Sequence, residues 1–258
     1  MKSIAIIGGG NLGVALAEGI LSNSIVKPEN LYVTRNQIEK IRFLADKGIR
    51  VTKENLLAAE KGDVIILAVK PYKVLEILEE IKPKLGFGKI VVSVATGVDI
   101  NSMQNVVGNE LTIYRAMPNT AASVSESLTC ICGNSIQGME EVKSIFNAIG
   151  KTVFINEELM NAATVVGACG IAYVLRFIRA MIQGGIEIGF DSHTATQIVT
   201  QTVKGAAQLL IENGLHPEQE IDKVTTPKGC TIVGLNEMEH QGFSSALIKG
   251  IKTSYEKI

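Results

Sequence analysis

Apolar and polar positions alternate in two different ways along this chain, and the change divides it. Ser3-Ile4-Ala5-Ile6-Ile7, headed by Lys2, is a short β-branched apolar run and predicts a buried strand. Gly8-Gly9-Gly10-Asn11-Leu12-Gly13 follows, and Leu12, Ala15, Leu16, Gly19 and Ile20 then recur at helical spacing. Strand patterns return at residues 31–33, 49–51, 63–69, 89–94 and 111–115. Helical patterns lie between them at 38–45, closed by Gly48, and at 74–81. From Glu157 onward the strand patterns stop. Leu159, Ala162, Val166, Cys169, Tyr173, Phe177 and Met181 keep one helical stripe, which Gly184, Gly185 and Gly189 are expected to interrupt. A second long helix carries Ala195, Ile198, Val199, Thr202, Ala206 and Leu209 and ends at Asn213-Gly214. Shorter helices are predicted at about 218–224, 231–239 and 243–256.

Strands alternating with helices imply an α/β unit whose mostly parallel sheet is covered on both faces. The expected organisation is a doubly wound sheet domain over 1–156 and an all-helical domain over 157–258. The long helices are apolar around much of their circumference. A domain of that size cannot cover them alone, so pairing with a second copy is expected.

Composition narrows the function. The 258 residues carry a formal net charge of −1 without a basic block, which argues against nucleic acid or an anionic membrane surface as the main partner. No apolar run is read as approaching the ~20 residues that span a bilayer, and the N-terminal run is read as a strand rather than a leader. Cys130 and Cys132 share one face of a predicted strand, while Cys169 and Cys230 are isolated. Reduced thiols in a cytoplasmic protein are the expectation, and three histidines scattered along the chain leave no metal site in the reading.

The glycine run is the first candidate for chemistry. G-x-G-x-x-G between a strand and a helix is the Rossmann-type dinucleotide signature. Gly8 allows the tight turn, Gly10 lets a pyrophosphate approach the backbone, and Gly13 lets helix and strand pack closely. The helix N-terminus adds free N–H groups for the phosphates. Ligands of such sheets bind beyond the carboxyl ends of the strands. Those ends are Gly8–Gly13, Thr34–Asn36, 68–71, 94–97 and 117–120, the last including Asn119. After the second strand stand Thr34 and Arg35, with no carboxylate until Glu39. A hydroxyl and a guanidinium suit a 2′-phosphate, so NADPH is expected over NADH. In the second half, Thr225-Thr226-Pro227-Lys228-Gly229-Cys230-Thr231 forces a turn, and Thr231 can cap the next helix. Its free amides suit a carboxylate, and the same residues suit an ordinary capped connection between helices.

Taken together, the two halves resemble the pyrroline-5-carboxylate reductase family. The matching stretches are IAIIGGGNLG, LAVKPY, VVSVATGV, YRAMPNTAA, GIAYVLRFI and HPEQEIDKVTTPKGCTIVGLNEMEHQGF, in collinear order over essentially the whole chain. The resemblance implies hydride transfer from NAD(P)H to the C=N carbon of a cyclic imino acid, giving L-proline. It implies a homodimer through the helical domain, often assembled into rings of dimers. It places the cofactor on Gly8–Gly13 (Gly8, Gly10, Asn11, Leu12, Gly13), on Ala68, Val69, Lys70 and Pro71, and on Val94, Ala95 and Thr96. Asn55 matches the adenosine end, and Thr34 and Arg35 match the 2′-phosphate site. Gly229, Cys230 and Thr231 match the turn that holds the substrate carboxylate, with the Thr231 hydroxyl against the ring nitrogen. A protonated imine is already electrophilic, so orientation can supply most of the rate and no strong acid or metal is required. A related two-domain imino- or keto-acid reductase and a non-catalytic NADP-binding regulator are the alternatives. Three departures stand out. Lys228 replaces the usual glycine, Ala168-Cys169-Gly170-Ile171 replaces Gly-Ser-Gly-Pro, and Ala121 replaces proline. If position 228 needs positive φ, lysine there costs about 1 kcal/mol.

Overall fold

The computed structural model describes residues 3–258. Lys2, at the head of the first strand stretch in the sequence reading, lies outside the described residues. The chain forms two compact units divided between Cys169 and Gly170, with Ile258 grouped with the first.

The first unit is built on one eight-stranded sheet. Its strands are β1 (Ile4–Ile7), β2 (Leu31–Thr34), β3 (Arg50–Thr52), β4 (Val64–Leu67), β5 (Ile90–Ser93), β6 (Thr112–Met117), β7 (Ser127–Gly133) and β8 (Gly150–Phe154). They lie in the order β3-β2-β1-β4-β5-β6-β7-β8. All neighbours are parallel except β6 and β7, where Arg115 faces Cys132 and Met117 faces Cys130. The strand order reverses between β1 and β4, so the crevice at their carboxyl ends is the place for a ligand.

Strand residues alternate between two cores, as a period of two requires. Ile4, Ile6, Val64 and Ile66 pack in one core with Leu16 and Ile20 of α1 (Asn11–Ser22), Leu44 of α2 (Arg42–Asp46) and Phe146 of α6 (Met139–Asn147). Ala5, Ile7, Ile65 and Leu67 pack in the other with α3 (Asn55–Lys61), α4 (Val74–Ile81) and α5 (Ile100–Val107). Lys89 Nζ donates to the carbonyls of Ala59 (2.9 Å) and Glu60 (3.1 Å) and to that of Gly62, closing the C-terminal end of α3. Burial pushes its ammonium below the ordinary lysine range, with Asp63 and Glu60 opposing the shift. Arg115, buried on β6, pairs with Glu157 at 2.9 Å, and Glu157 also accepts from the Ile100 N–H at 2.8 Å. The start of the segment leading to the second unit is thereby tied to β6 and α5.

The second unit is helical: α8 (Gly170–Glu187), α9 (Ser192–Asn213), α10 (Pro217–Val224), α11 (Cys230–His240) and α12 (Phe243–Tyr255). Phe177 and Phe243 meet with ring centroids 6.0 Å apart, and the Tyr173 hydroxyl donates to Ser254 at 2.6 Å, so α8 and α12 pack together.

Several expectations are corrected. Gly184 and Gly185 do not interrupt α8, which runs on to Glu187; only Gly189, at φ +117°, lies beyond its end. α8 starts at Gly170, beside the Ile171 departure, but it does not start from a loop. The chain is already helical through α7 (Met160–Ala163) and a π-helical turn over Thr164–Cys169, where the Thr164 hydroxyl donates to the Met160 carbonyl at 2.8 Å. The continuous helical stretch Glu157–Glu187, 31 residues with a window of mean hydropathy 1.7, is long and apolar enough to cross a membrane by length and composition. The expectation that no apolar run approaches the length needed to span a bilayer is corrected on this point. Asp191 is the N-cap of α9 and accepts from the N–H groups of His193 (3.0 Å) and Thr194 (3.1 Å). His216 caps α10 in a reciprocal arrangement with Gln219.

Candidate functional site

The carboxyl ends of β1, β2 and β4 lie side by side, with Ile7 facing Thr34 on one flank and Leu67 on the other. Gly8 leaves β1 at φ +110°, and a Cβ there would lie 2.3 Å from the Ala68 carbonyl oxygen. The N–H groups of Gly8 and Gly9 both donate to the Thr34 carbonyl, at 3.2 and 2.7 Å. The turn is therefore pinned between β2 and β4. A Cβ at Gly13 would lie 2.1 Å from the Gly8 carbonyl oxygen, so only glycine lets α1 start this close to the strand. Gly10 differs. It is the N-cap of α1, and a Cβ on it would meet nothing within 4 Å. No side chain caps this helix, and its first turn holds no acidic residue. Its leading amides are free for an anion.

Two cavities flank that helix end. One, of about 510 Å³, is lined by Gly8, Gly10, Thr34, Arg35, Asn55 and Val69, together with Lys73, Glu76 and Glu80. The other, of about 560 Å³, is lined by Asn11, Leu12, Val94, Thr96, Met117, Pro118, Asn119 and Ala168. Consecutive residues, Gly10 and Asn11, open onto different cavities. A ligand with an anionic centre, one polar end and one flatter apolar end fits across the helix N-terminus. A dinucleotide has that form.

The polar cavity is wired by side chains. Arg35 donates from its guanidinium to the Gly9 carbonyl, and its N–H donates to Thr52 at 3.1 Å. Thr34, 2% exposed as a residue, donates from its hydroxyl to Asn55 Oδ1 at 2.7 Å. Asn55 Nδ2 donates in turn to Glu80 Oε2 at 3.1 Å. In the apolar cavity, Asn119 has its amide engaged within the protein: Oδ1 accepts from the Ala121 N–H at 3.0 Å, and Nδ2 donates to the Gly167 carbonyl at 3.2 Å.

The remaining expected cofactor residues line neither cavity. Ala68 forms the floor under Gly8. Ala95 is buried, and its N–H donates to the Ser93 hydroxyl at 3.3 Å. Lys70 and Pro71 open the short 3-10 turn Pro71–Lys73, which delivers Lys73 to the polar cavity. Sequence reasoning passed over Lys73, Glu76 and Glu80. Their spacing of three and four along the helix after β4 is a single polar stripe, and that was the available signal.

Gly229, Cys230 and Thr231 lie in the helical unit. Thr231 does not cap α11. Gly229 holds that position, no side chain caps the helix, and Thr231 sits in its first turn with Cys230 ahead of it. A Cβ at Gly229 would lie 2.6 Å from the Thr226 hydroxyl, because the Gly229 N–H closes a tight turn onto the Thr226 carbonyl at 2.9 Å. The cap therefore falls on the residue that fits the turn, and the α11 amides remain free. Lys228 has φ +61°, the left-handed region that favours glycine. Burial raises the Cys130 thiol and pushes that of Cys132 up to about 11, so neither is a ready nucleophile.

The sheet, the glycine turn and the paired cavities define a Rossmann-type dinucleotide-binding unit, here followed by an all-helical unit. Two family models match accordingly: NADP oxidoreductase, coenzyme F420-dependent, over residues 3–97, and pyrroline-5-carboxylate reductase dimerisation over residues 157–258. Pyrroline-5-carboxylate reductase 2 of Dictyostelium discoideum is 42% identical, with 99% of this chain and 92% of that protein covered. Pyrroline-5-carboxylate reductase 1 of the same organism is also 42% identical over 99% of this chain, which spans only 49% of it. The crystal structure of Plasmodium falciparum pyrroline carboxylate reductase with NADP bound superposes with a TM-score of 0.89 at 30% identity, covering 99% of this chain and 96% of that one. The chain belongs to the pyrroline-5-carboxylate reductase family.

Proposed function

We propose that this chain reduces 1-pyrroline-5-carboxylate to L-proline with NAD(P)H, and that NADPH is the preferred donor. The observation that carries the reading is the α1 N-terminus, uncapped and open at Gly10, standing between a polar and an apolar cavity. That arrangement fits a dinucleotide whose pyrophosphate lies on the free amides. Bound there, the reduced nicotinamide supplies a hydride. The chain's own residues orient and exclude water. Leu12, Val94, Met117 and Ala168 give the apolar cavity its dry wall. Arg35 and Lys73 give the polar cavity the cations that suit a 2′-phosphate.

In this reading Gly229, whose own N–H is engaged by the Thr226 carbonyl, shapes the turn, the free amides of Cys230 and Thr231 hold the substrate carboxylate, and the Thr231 hydroxyl meets the ring nitrogen. The hydride adds to the imine carbon, and the C=N electron pair passes to the already protonated nitrogen, which becomes the amine. Neutral threonine suits a donor or proton relay rather than a strong base. The enzyme is proposed to work as a homodimer through its helical unit, with rings of dimers as a further assembly. Four free cysteines suit the cytoplasm.

The test is NADPH oxidation followed by absorbance with pyrroline-5-carboxylate, pyrroline-2-carboxylate and keto acids in parallel. Oxidation with the first alone is expected. Oxidation with none, or with a keto acid in preference, overturns the proposal. Thr231→Ala should slow turnover roughly 10- to 100-fold, the scale for one positioned polar group. Unchanged kinetics would remove Thr231 from the mechanism.

A further inference from the structure

Glu80 stands in the polar cavity and is absent from the set of residues that the sequence pattern assigns to the cofactor. Among the described residues no cation lies within ion-pair distance of its carboxylate; Lys73 pairs instead with Glu76, at 3.6 Å. What Glu80 does hold is the amide of Asn55. A carboxylate is acceptor-only, so the NH2 of Asn55 must face Glu80 and its oxygen must face Thr34. The Thr34 hydroxyl then has to donate toward Asn55. Thr34 is almost fully buried, and Asn55 Oδ1 is the acceptor its hydroxyl meets. Glu80 thus sets the direction of every hydrogen bond in the chain Thr34–Asn55–Glu80.

That direction has a consequence for the ligand. Thr34 lines the cavity with its hydroxyl proton committed to Asn55, so what that hydroxyl can offer a ligand is a lone pair and no proton. A ribose 2′-hydroxyl can donate to it, whereas a 2′-phosphate is acceptor-only and finds no donor there. The nearby negative charge adds to the mismatch. Arg35 and Lys73 favour the phosphate, and the Glu80 relay opposes it.

We propose that Glu80 is a specificity-determining residue which, acting through Asn55 and Thr34, narrows the discrimination between NADPH and NADH. The inference rests on the reading of this cavity as the adenosine end of a dinucleotide site. The Gln variant keeps the shape and frees the relay. Its amide can donate or accept, so Asn55 can flip and Thr34 can turn its proton to the ligand.

Dissociation constants for NADPH and NADH are measured by nicotinamide fluorescence on the full chain, for the native protein, Glu80→Gln, Thr34→Val and the double variant. Glu80→Gln should tighten NADPH about tenfold and leave NADH within about twofold, on the scale of one hydrogen bond. In the Thr34→Val background that gain should largely vanish. A merely structural loss would weaken both dinucleotides together. An unchanged NADPH-to-NADH ratio overturns the proposal. A gain that persists undiminished with Thr34→Val overturns the relay. Binding is read without the imine. A native protein that binds dinucleotide but reduces no pyrroline therefore sinks the proposed reaction and leaves this test intact, whereas one that binds neither dinucleotide sinks both.

Discussion

The sheet unit buries its apolar residues against itself, and the helical unit does not. In the first unit Ile4, Ile6, Ile65, Ile66 and Leu67 are each essentially inaccessible, packed on both faces by helices of the same unit. In the second, only Ala195 and Val199 are buried, and Leu175, Phe190, Leu209 and Ile211 are each more than a third exposed. Both units are rich in apolar residues in sequence, the second through long helices apolar around much of their circumference. The difference shows that the sheet is a complete core, while the helices carry a surface made for another partner. A match to a dimerisation family over residues 157–258 fits that division.

Four experiments sharpen the contrast, taken from the largest effect down. Lysine at both Leu175 and Leu209 should convert a dimer to a monomer, measured by light scattering, with helical content retained. Each leucine covered in the proposed dimer would contribute about 2 kcal/mol, and symmetry counts it twice. A native protein that is monomeric at working concentration would break the comparison outright.

The second experiment separates fold from site within the sheet unit. Gly13→Ala should destabilise the protein by about 1–3 kcal/mol, since its methyl meets the Gly8 carbonyl and overpacks the α1–β1 junction. Gly10→Ala should change stability by no more than about 0.5 kcal/mol, because the new methyl meets nothing. It should still weaken dinucleotide binding, because the methyl stands where the pyrophosphate must approach. Denaturant melts and binding titrations read the two effects. Equal stability losses would refute the assignment of Gly10 to the ligand.

The smallest effects concern single positions. Lys228→Gly should stabilise the helical unit by about 1 kcal/mol by relieving a left-handed lysine. In the sheet unit, Asp99 caps α5 by accepting from the Ser102 N–H at 2.6 Å. The hydrogen bond from Ser102 holds its carboxyl below the ordinary aspartate range. Its stabilisation is therefore full above the unfolded aspartate pKa and is lost as pH falls through the lowered native value. Asp99→Ala should cost about 1 kcal/mol at neutral pH and progressively less in acid. A cost independent of pH would mean the cap is not electrostatic.

Much of the site was legible because it is local. The strand, the glycine turn and the helix of residues 3–22 are consecutive, and each glycine answers a constraint set within a few residues or by the neighbouring strand. Position 228 was legible only through the family resemblance, whose usual glycine there raised the question of a positive φ that the folded chain answers. Less visible were β8, which shows no strong alternation and is mostly exposed, and α3, a short helix with little amphipathic pattern. The antiparallel turn of β7 against β6 also left no mark in sequence, because a strand's direction depends on how its connection returns.

The order of residues alone determined the class of fold, the glycine turn and the presence of a helical second half, because periodicity and turn chemistry act over a few positions. Only the folded chain decided that Glu80 on α4, Asn55 on α3 and Thr34 on β2 share one line of hydrogen bonds. Those residues are brought together by parallel strand pairing and helix packing. Such long-range contacts are fixed by closing the whole sheet, so no local pattern announces them.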